Sequence, residues 1–409
     1  MKPRRPCAAG FYIHYREDKV LPGKKTEYLQ TIYTIGHALL SPMGHTTEQH
    51  FELLRQQKPA IRQYEDTAIA ADPFYAARLQ PDSLQMIAAR YRGEGKMLSP
   101  FEQMCIYVVE EALAQTHIQV AAQDCLLILS TTKGNIEWLG RQPDERISLH
   151  RSAALIAAHF GMQTKPVIVS NACISGSLAL ITASRMLEGA RYKHIIVVGC
   201  DRFSSFVFSG FQSFHALANG LCRPFDKDRT GINLGEAAAC MILSVDAAAG
   251  AAAPLAILAG GGISNDANHL SGPSRTGEEL AASIAQAMQQ AGVTAADIGM
   301  ISAHGTATLF NDEMEAKALA LSGLEAVPLH SLKSYVGHTL GAAGIIESVL
   351  ACKAMQEGIL PASLGFETSG VSVPVNVVQE LRPVNMDYLL KTASGFGGCN
   401  ATLVWQKVK

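Results

Sequence analysis

The 409-residue chain contains no CxxC pair, no HExxH helix signature, no Walker-type glycine loop and no GxGxxG fingerprint. Those absences remove the usual zinc, metalloprotease, P-loop and dinucleotide signatures from the reading. Charge is sparse and balanced: 17% of residues are charged, 34 basic against 36 acidic, for a net of -2. No overall field draws in nucleic acid, and an anionic partner has to be met by a local patch. The nine cysteines are odd in number and scattered, which argues against a disulfide scaffold and for a reducing cytoplasm. A long apolar run is missing too. The most apolar tract, 237–263, is rich in alanine and glycine and is broken by Asp246 and Pro254, so no membrane span is expected. The start is basic (Met1-Lys-Pro-Arg-Arg-Pro6), but its apolar stretch, 7–13, is short and runs into His14, Arg16, Glu17, Asp18 and Lys19. Secretion is therefore not expected. Residues 1–30 show no periodicity and read as an extension of uncertain order.

What is present is enough apolar content, 48%, for one large globular unit or two fused halves. Short apolar runs alternate with longer amphipathic ones, the pattern of an α/β protein with buried sheets. Strands are expected at 31–40, 125–129, 166–170, 194–199, 238–245, 298–303 and 401–405, and helices at 100–116, 177–189, 276–291, 312–321 and 342–357. A strand, a turn with Cys173 and a helix in the first half are matched by a strand, a turn with His338 and a helix in the second. Such a weak internal duplication would bring Cys173, His304 and His338 to one shared centre.

Cys173 lies in Val169-Ser-Asn-Ala-Cys-Ile-Ser-Gly-Ser-Leu178, between an apolar strand and a helix start. There the free N–H groups of the helix favour a thiolate, and Ala172, Ser175 and Gly176 let a substrate approach. The alternative is a small buried structural thiol. His304 opens Ala303-His-Gly-Thr-Ala-Thr-Leu-Phe-Asn-Asp-Glu313 at a strand end, where an imidazole can act as acid, base or donor near neutral pH. His338 lies in Leu332-Lys-Ser-Tyr-Val-Gly-His-Thr-Leu-Gly-Ala-Ala-Gly-Ile-Ile-Glu347, before a glycine-rich helix start. Lys333 reads either as a solvated charge or as the buried partner of Glu347, which sits in an otherwise apolar helix. Ser394-Gly-Phe-Gly-Gly-Cys-Asn400 can aim backbone N–H groups at an oxyanion, although plain hairpins use the same residues.

These motifs, with Cys222-Arg-Pro-Phe-Asp226 and Gly235-Glu236, occur in the order seen in the β-ketoacyl-[acyl carrier protein] synthases. The chain resembles the elongating members over about residues 31–409. The resemblance implies an α/β, thiolase-like five-layered αβαβα sandwich built from two similar halves, 31–250 carrying the nucleophile and 251–409 the histidines and gate. It also implies a dimer, as a homodimer or with a related ketosynthase-like subunit. It makes Cys173 the acyl-accepting nucleophile, His304 and His338 the decarboxylation pair, and Lys333 with Glu347 their electrostatic support. Phe396 becomes the gatekeeper, its N–H sharing an oxyanion hole with that of Cys173. Thr306, Thr308 and Ser271 match positions that meet the phosphopantetheine arm of acyl carrier protein, and the 265–269 loop resembles one that moves with the gate. The implied reaction is decarboxylative Claisen condensation of malonyl and acyl carrier protein, with no bound metal or nucleotide.

Ser394 and Cys399 replace the usual phenylalanine and threonine, Ala237 and Ala239 replace glycines, and Ile174 replaces a smaller residue. The expectation is therefore a specialised fatty acid, polyene or polyketide substrate. Two other readings share the fold: a thiolase acting on coenzyme A thioesters, and a non-catalytic chain-length subunit. Lys58, Arg62, Arg202 and Lys227 are the candidate basic patch for the acidic carrier protein, or else plain surface charges.

Overall fold

The structure, a computed structural model, describes residues 30–92, 98–140, 145–266 and 272–409. The expected N-terminal extension lies outside them up to residue 29, as does Ser271. Residues 31–409 form one compact unit.

Its logic begins in the strands, which are apolar on both faces. In β2 (Cys125–Ser130), Leu126 and Ile128 enter one core, while Cys125, Leu127 and Leu129 enter another. The same period of two divides β4 (His194–Asp201) and β5 (Ala237–Ser244). A strand buried on both sides needs a layer on each. With β1 (Tyr33–Leu40) and β3 (Val167–Val169), these form one half of a ten-stranded sheet. The other half is β6 (Ile257–Asn265), β7 (Ile298–Ser302), β8 (Leu329–His330), β9 (Tyr388–Gly395) and β10 (Cys399–Gln406).

The sheet order is β8-β7-β9-β10-β6-β1-β5-β4-β2-β3. Within each half the order is therefore third, second, fourth, fifth, first. The first two pairings are parallel and the last two antiparallel in both halves. The halves join through Tyr33 opposite Ile257. The expected duplication is thus visible strand for strand.

Helices α1 (Pro100–Leu113) and α2 (Leu149–His159) cover the outer face of the first half. Helix α3 (Ser175–Glu188) is followed by α4 (Ser205–Ser213). Helices α5 (Glu278–Ala291) and α6 (Leu309–Leu321) cover the second half, and α7 (Ala343–Glu357) packs against α3 between the two halves of the sheet. The layers read αβαβα. A capping box of Ser99 and Glu102, with Pro100 in the first turn, starts α1. Helix α7 is apolar nearly all round, as a helix in the middle layer must be.

Unanticipated elements include α2, α4, β6, β9 and the helices Thr47–Arg55 and Pro81–Arg90. The tract 237–263 forms two central strands, the first expected at 238–245 and the second not expected, with Asp246 and Pro254 in the connection between them.

Candidate active site

The middle layer positions the site. Where α3 crosses α7, a Cβ on Gly344 would stand 2.2 Å from the Ser177 nitrogen. Only bare backbone fits, so the turn that opens α3 and the turn that opens α7 lie side by side.

The first turn carries Cys173. Ala172 just before it adopts a left-handed φ of 43°, and the turn is clamped by Ser175, whose Oγ donates to the Ala172 carbonyl at 2.7 Å and accepts the Asn171 N–H at 2.8 Å. Burial pushes the Cys173 thiol up to about 12, and the neighbouring Cys399 adds to this. Lys333, the Phe396 N–H donated to the sulfur, and Lys133 pull the other way. The helix start was expected to give a thiolate; instead desolvation keeps the resting group a thiol.

The second turn carries Lys333 and His338. The His338 backbone is pinned on both sides, its N–H donating to the Asn233 carbonyl at 2.7 Å and its carbonyl accepting the Gly235 N–H at 3.0 Å. His304 follows the end of β7, where Glu315 of α6 accepts the His304 and Gly305 N–H groups, each at 2.8 Å. The two imidazoles meet edge to face with centroids 5.5 Å apart.

Lys333 is fully buried. Its Nζ reaches Glu347 Oε1 at 2.8 Å, the His304 carbonyl at 2.7 Å and His304 Nδ1 at 3.3 Å. An ammonium only donates, so Nδ1 accepts and a neutral His304 carries its proton on Nε2. Burial lowers both histidines; Lys333, His338 and Lys391 push His304 further down, and His338 falls to about 3. Both rings are neutral at physiological pH. Neither ring nitrogen of His338 has a hydrogen-bond partner among the described residues.

Cys173, His304, His338, Thr306, Thr308 and Phe396 line one cavity of about 500 Å³, together with Phe211, Phe214, Ile232 and Met314. Thr306 and Thr308 join their hydroxyls at 2.8 Å, and Asp312 accepts the Thr306 N–H at 2.9 Å. Phe396 sits in the β9–β10 turn and packs at a tilt against Phe211 and Phe214, with ring centroids 5.5 and 5.3 Å away. Gly398, with φ 74°, allows that turn, since a Cβ there would fall 1.8 Å from the Asp266 carbonyl oxygen. Ser394 at the phenylalanine position donates to Asn400 Oδ1 at 2.7 Å, and Cys399 is buried in the same hairpin.

Lys333 is thus a buried partner of Glu347 rather than a solvated charge. Of the basic-patch candidates, Lys58, Arg62 and Lys227 are exposed, but Arg202 is nearly buried and paired with Glu137 at 2.5 Å, and none of the four lines the cavity. Sequence reasoning missed Lys391, fully buried on β9, whose Nζ lies 2.8 Å from Glu347 Oε2. The signal depended on assigning that strand: a lone lysine in an apolar strand needs a counter-charge as much as Lys333 does. His330 and Glu315 were missed as well.

Models of the β-ketoacyl synthase N-terminal and C-terminal domains match residues 30–249 and 255–367. The chain belongs to the β-ketoacyl synthase family. It is 27% identical to the 3-oxoacyl-[acyl-carrier-protein] synthase 2 of Vibrio cholerae over 92% of its own length and 99% of the relative's. It superposes on the ishigamide ketosynthase/chain length factor with a TM-score of 0.84 at 24% identity, covering 93% of this chain and all of that one. A chain of AntDE:AntF, a type II PKS acyl-carrier protein in complex with its ketosynthase, gives 0.77 at 20% identity, over 93% of this chain and 100% of that one. The fold is that of the thiolase-like ketosynthases, and no described helix is long and apolar enough to cross a membrane.

Proposed function

We propose that this acyltransferase condenses an acyl group held on Cys173 with a malonyl group, both delivered on the phosphopantetheine arm of acyl carrier protein. The observation that carries the reading is the convergence of Cys173, His304 and His338 on one cavity, with the Phe396 N–H aimed at the sulfur. In the first half-reaction the sulfur attacks the acyl thioester carbonyl. The oxyanion takes hydrogen bonds from the Phe396 and Cys173 N–H groups, and the carrier thiol leaves with the cysteine's proton. A buried thiol needs that proton removed as the substrate arrives, and His338, which shares the cavity and has no hydrogen-bond partner for either ring nitrogen among the described residues, is the imidazole open to relay it.

In the second half-reaction the bond from the malonyl α-carbon to its carboxylate breaks and carbon dioxide leaves. The electron pair forms an enolate whose oxygen His304 Nε2–H and His338 hold. The α-carbon then attacks the acyl-cysteine carbonyl, the carbon–sulfur bond breaks, and Cys173 leaves as a thiolate that takes a proton from solvent to return to the thiol. The product is a β-ketoacyl carrier protein two carbons longer. Thr306 and Thr308 meet the arm, and Phe396 swings at the cavity entrance. Residues 31–250 supply the nucleophile and 251–409 the histidines and gate. The open edge of the sheet at Val167–Val169, half-buried and apolar, supports pairing with a second ketosynthase chain, its own copy or a related one.

A chain-length role without chemistry has no need of the cysteine and both histidines that this chain keeps. The test is condensation with malonyl carrier protein and an acyl donor, with and without Cys173→Ala. A wild type that forms no product sinks the reading, and equal use of coenzyme A thioesters would return it to a thiolase. Weighing the acyl group trapped on Cys173 from a mixed carrier-bound pool then names the chain length.

A further inference from the structure

The support behind the histidines is larger than one lysine and one glutamate. Glu347 presents one oxygen to Lys333 and the other to Lys391, each at 2.8 Å. The three side chains come from different elements, the turn before His338, α7 and β9, and all are buried. The Lys391 ammonium also donates to the Thr392 carbonyl. Thr392 accepts the His304 N–H at 3.1 Å and donates to Glu315 Oε1 at 2.5 Å, and Glu315 binds the backbone of His304 and Gly305. Two ammonium groups are thus set against two carboxylates, and the row ends at His304 from both directions.

A carboxylate held by one partner turns easily about its last torsion. Held at both oxygens by lysines on separate elements, its plane is fixed, and so is the Lys333 ammonium that hydrogen-bonds His304. Removing Lys391 frees that torsion and leaves the buried cluster one negative charge in excess.

We propose that Lys391 is a positioning residue for the histidine pair: by clamping Glu347 opposite Lys333, it fixes where Lys333 sits and sets the charge that His304 and His338 face. This rests on the ketosynthase reading of the cavity. The groups around the pair are Lys333, Lys391, Glu347 and Glu315, each histidine being also the other's neighbour. His330, buried on β8 with no partner for either ring nitrogen among the described residues, faces Lys391 and Glu347 as well. Lys391 opposes protonation of His304, His330 and His338, supporting the geometric case.

Without the Lys391 charge the histidines protonate more readily, so the loss of function on acidification begins at higher pH. The test uses full-length Lys391→Met, which keeps the volume, and Lys391→Gln, which keeps a donor for Glu347. Malonyl carrier protein decarboxylation is followed against pH, while carbethoxylation of His304 and His338, which requires a neutral ring, is mapped by peptide mass over the same range. Both acid limbs are expected to move up by about one pH unit or more in both variants, each still unfolding cooperatively though at a lower midpoint than wild type. Unmoved limbs in a folded variant overturn the proposal, and so does collapse of both variants, which would make Lys391 structural. A wild type that does not decarboxylate would sink the ketosynthase reading, and the carbethoxylation profiles would still decide the role of Lys391.

Discussion

The two halves repeat one strand order, yet their active turns hold opposite chemistry. In the first half, β3 leads through a strained alanine to Cys173, a thiol that burial pushes up to about 12. In the second, β8 leads to Lys333 and His338, both buried, with Lys333 tied to the Glu347 carboxylate. The ends of the second strands diverge in the same way. After β2, Thr131 and Thr132 bind Asp201, which also takes the Gly341 N–H at 2.7 Å and so anchors one half to the other. After β7, the matching stretch delivers His304 to the cavity. A duplicated scaffold thus offers two similar turns to one centre, one carrying a buried thiol and the other a fixed electrostatic frame.

The sharpest way to break this division is to remove the sulfur. Cys173→Ala is expected to lower condensation by about a thousandfold or more while leaving the thermal midpoint near wild type, as read by carrier-protein product formation and unfolding. His304→Ala or His338→Ala should lower malonyl decarboxylation by about 10² to 10⁴ without preventing acylation of Cys173, which intact-protein mass measures. If either histidine variant also fails to acylate, the relay role outweighs the division by halves.

Lys333→Met comes next and acts on stability as well. Breaking a buried pair costs about 3–5 kcal/mol when a charge is left alone. Lys391 still faces Glu347 here, so denaturant unfolding should show a loss below that range. Acid stability probes the same frame. Burial holds His37 and His50 at about 4, His330 and His338 at about 3, and His304 well below its ordinary value. Their folded values lie below the unfolded 6.5, so the unfolded chain binds more protons as pH falls. Stability is full above 6.5 and declines below it, by about 1.4 kcal/mol per pH unit for each such histidine; a midpoint flat from neutrality to pH 4.5 would contradict these neutral rings. The smallest effect is expected at the arm contacts. Thr306→Val or Thr308→Val removes one hydrogen bond, about 0.5–1.5 kcal/mol, and should raise KM for the carrier substrate more than it lowers kcat.

Much of this centre was legible because its motifs are local. A strand, a turn and a helix start place Cys173 and His338 without reference to the rest of the chain, and Glu347 announces a buried partner by standing in an apolar helix. Lys391 was not legible in the same way. Its strand had not been assigned, and a lysine on an unassigned stretch reads as surface. Arg202 failed in the opposite sense, since nothing near it in sequence shows that Glu137 covers it. The thiol was misjudged because a helix start is a local signal, whereas the desolvation that outweighs it comes from both halves closing together. Fold and reactive atoms were written in short stretches; the electrostatics were written in contacts between residues far apart.

The crossing at Gly344 has a mechanical consequence. A methyl group there has no space beside the Ser177 nitrogen, so Gly344→Ala would work as a wedge between α3 and α7. The sulfur rides on one helix and the imidazoles on the other side of the seam. Residue 344 is therefore a spacer gauge, and a variant series of increasing size would read how much play the reaction tolerates between its nucleophile and its carbanion before the two no longer meet.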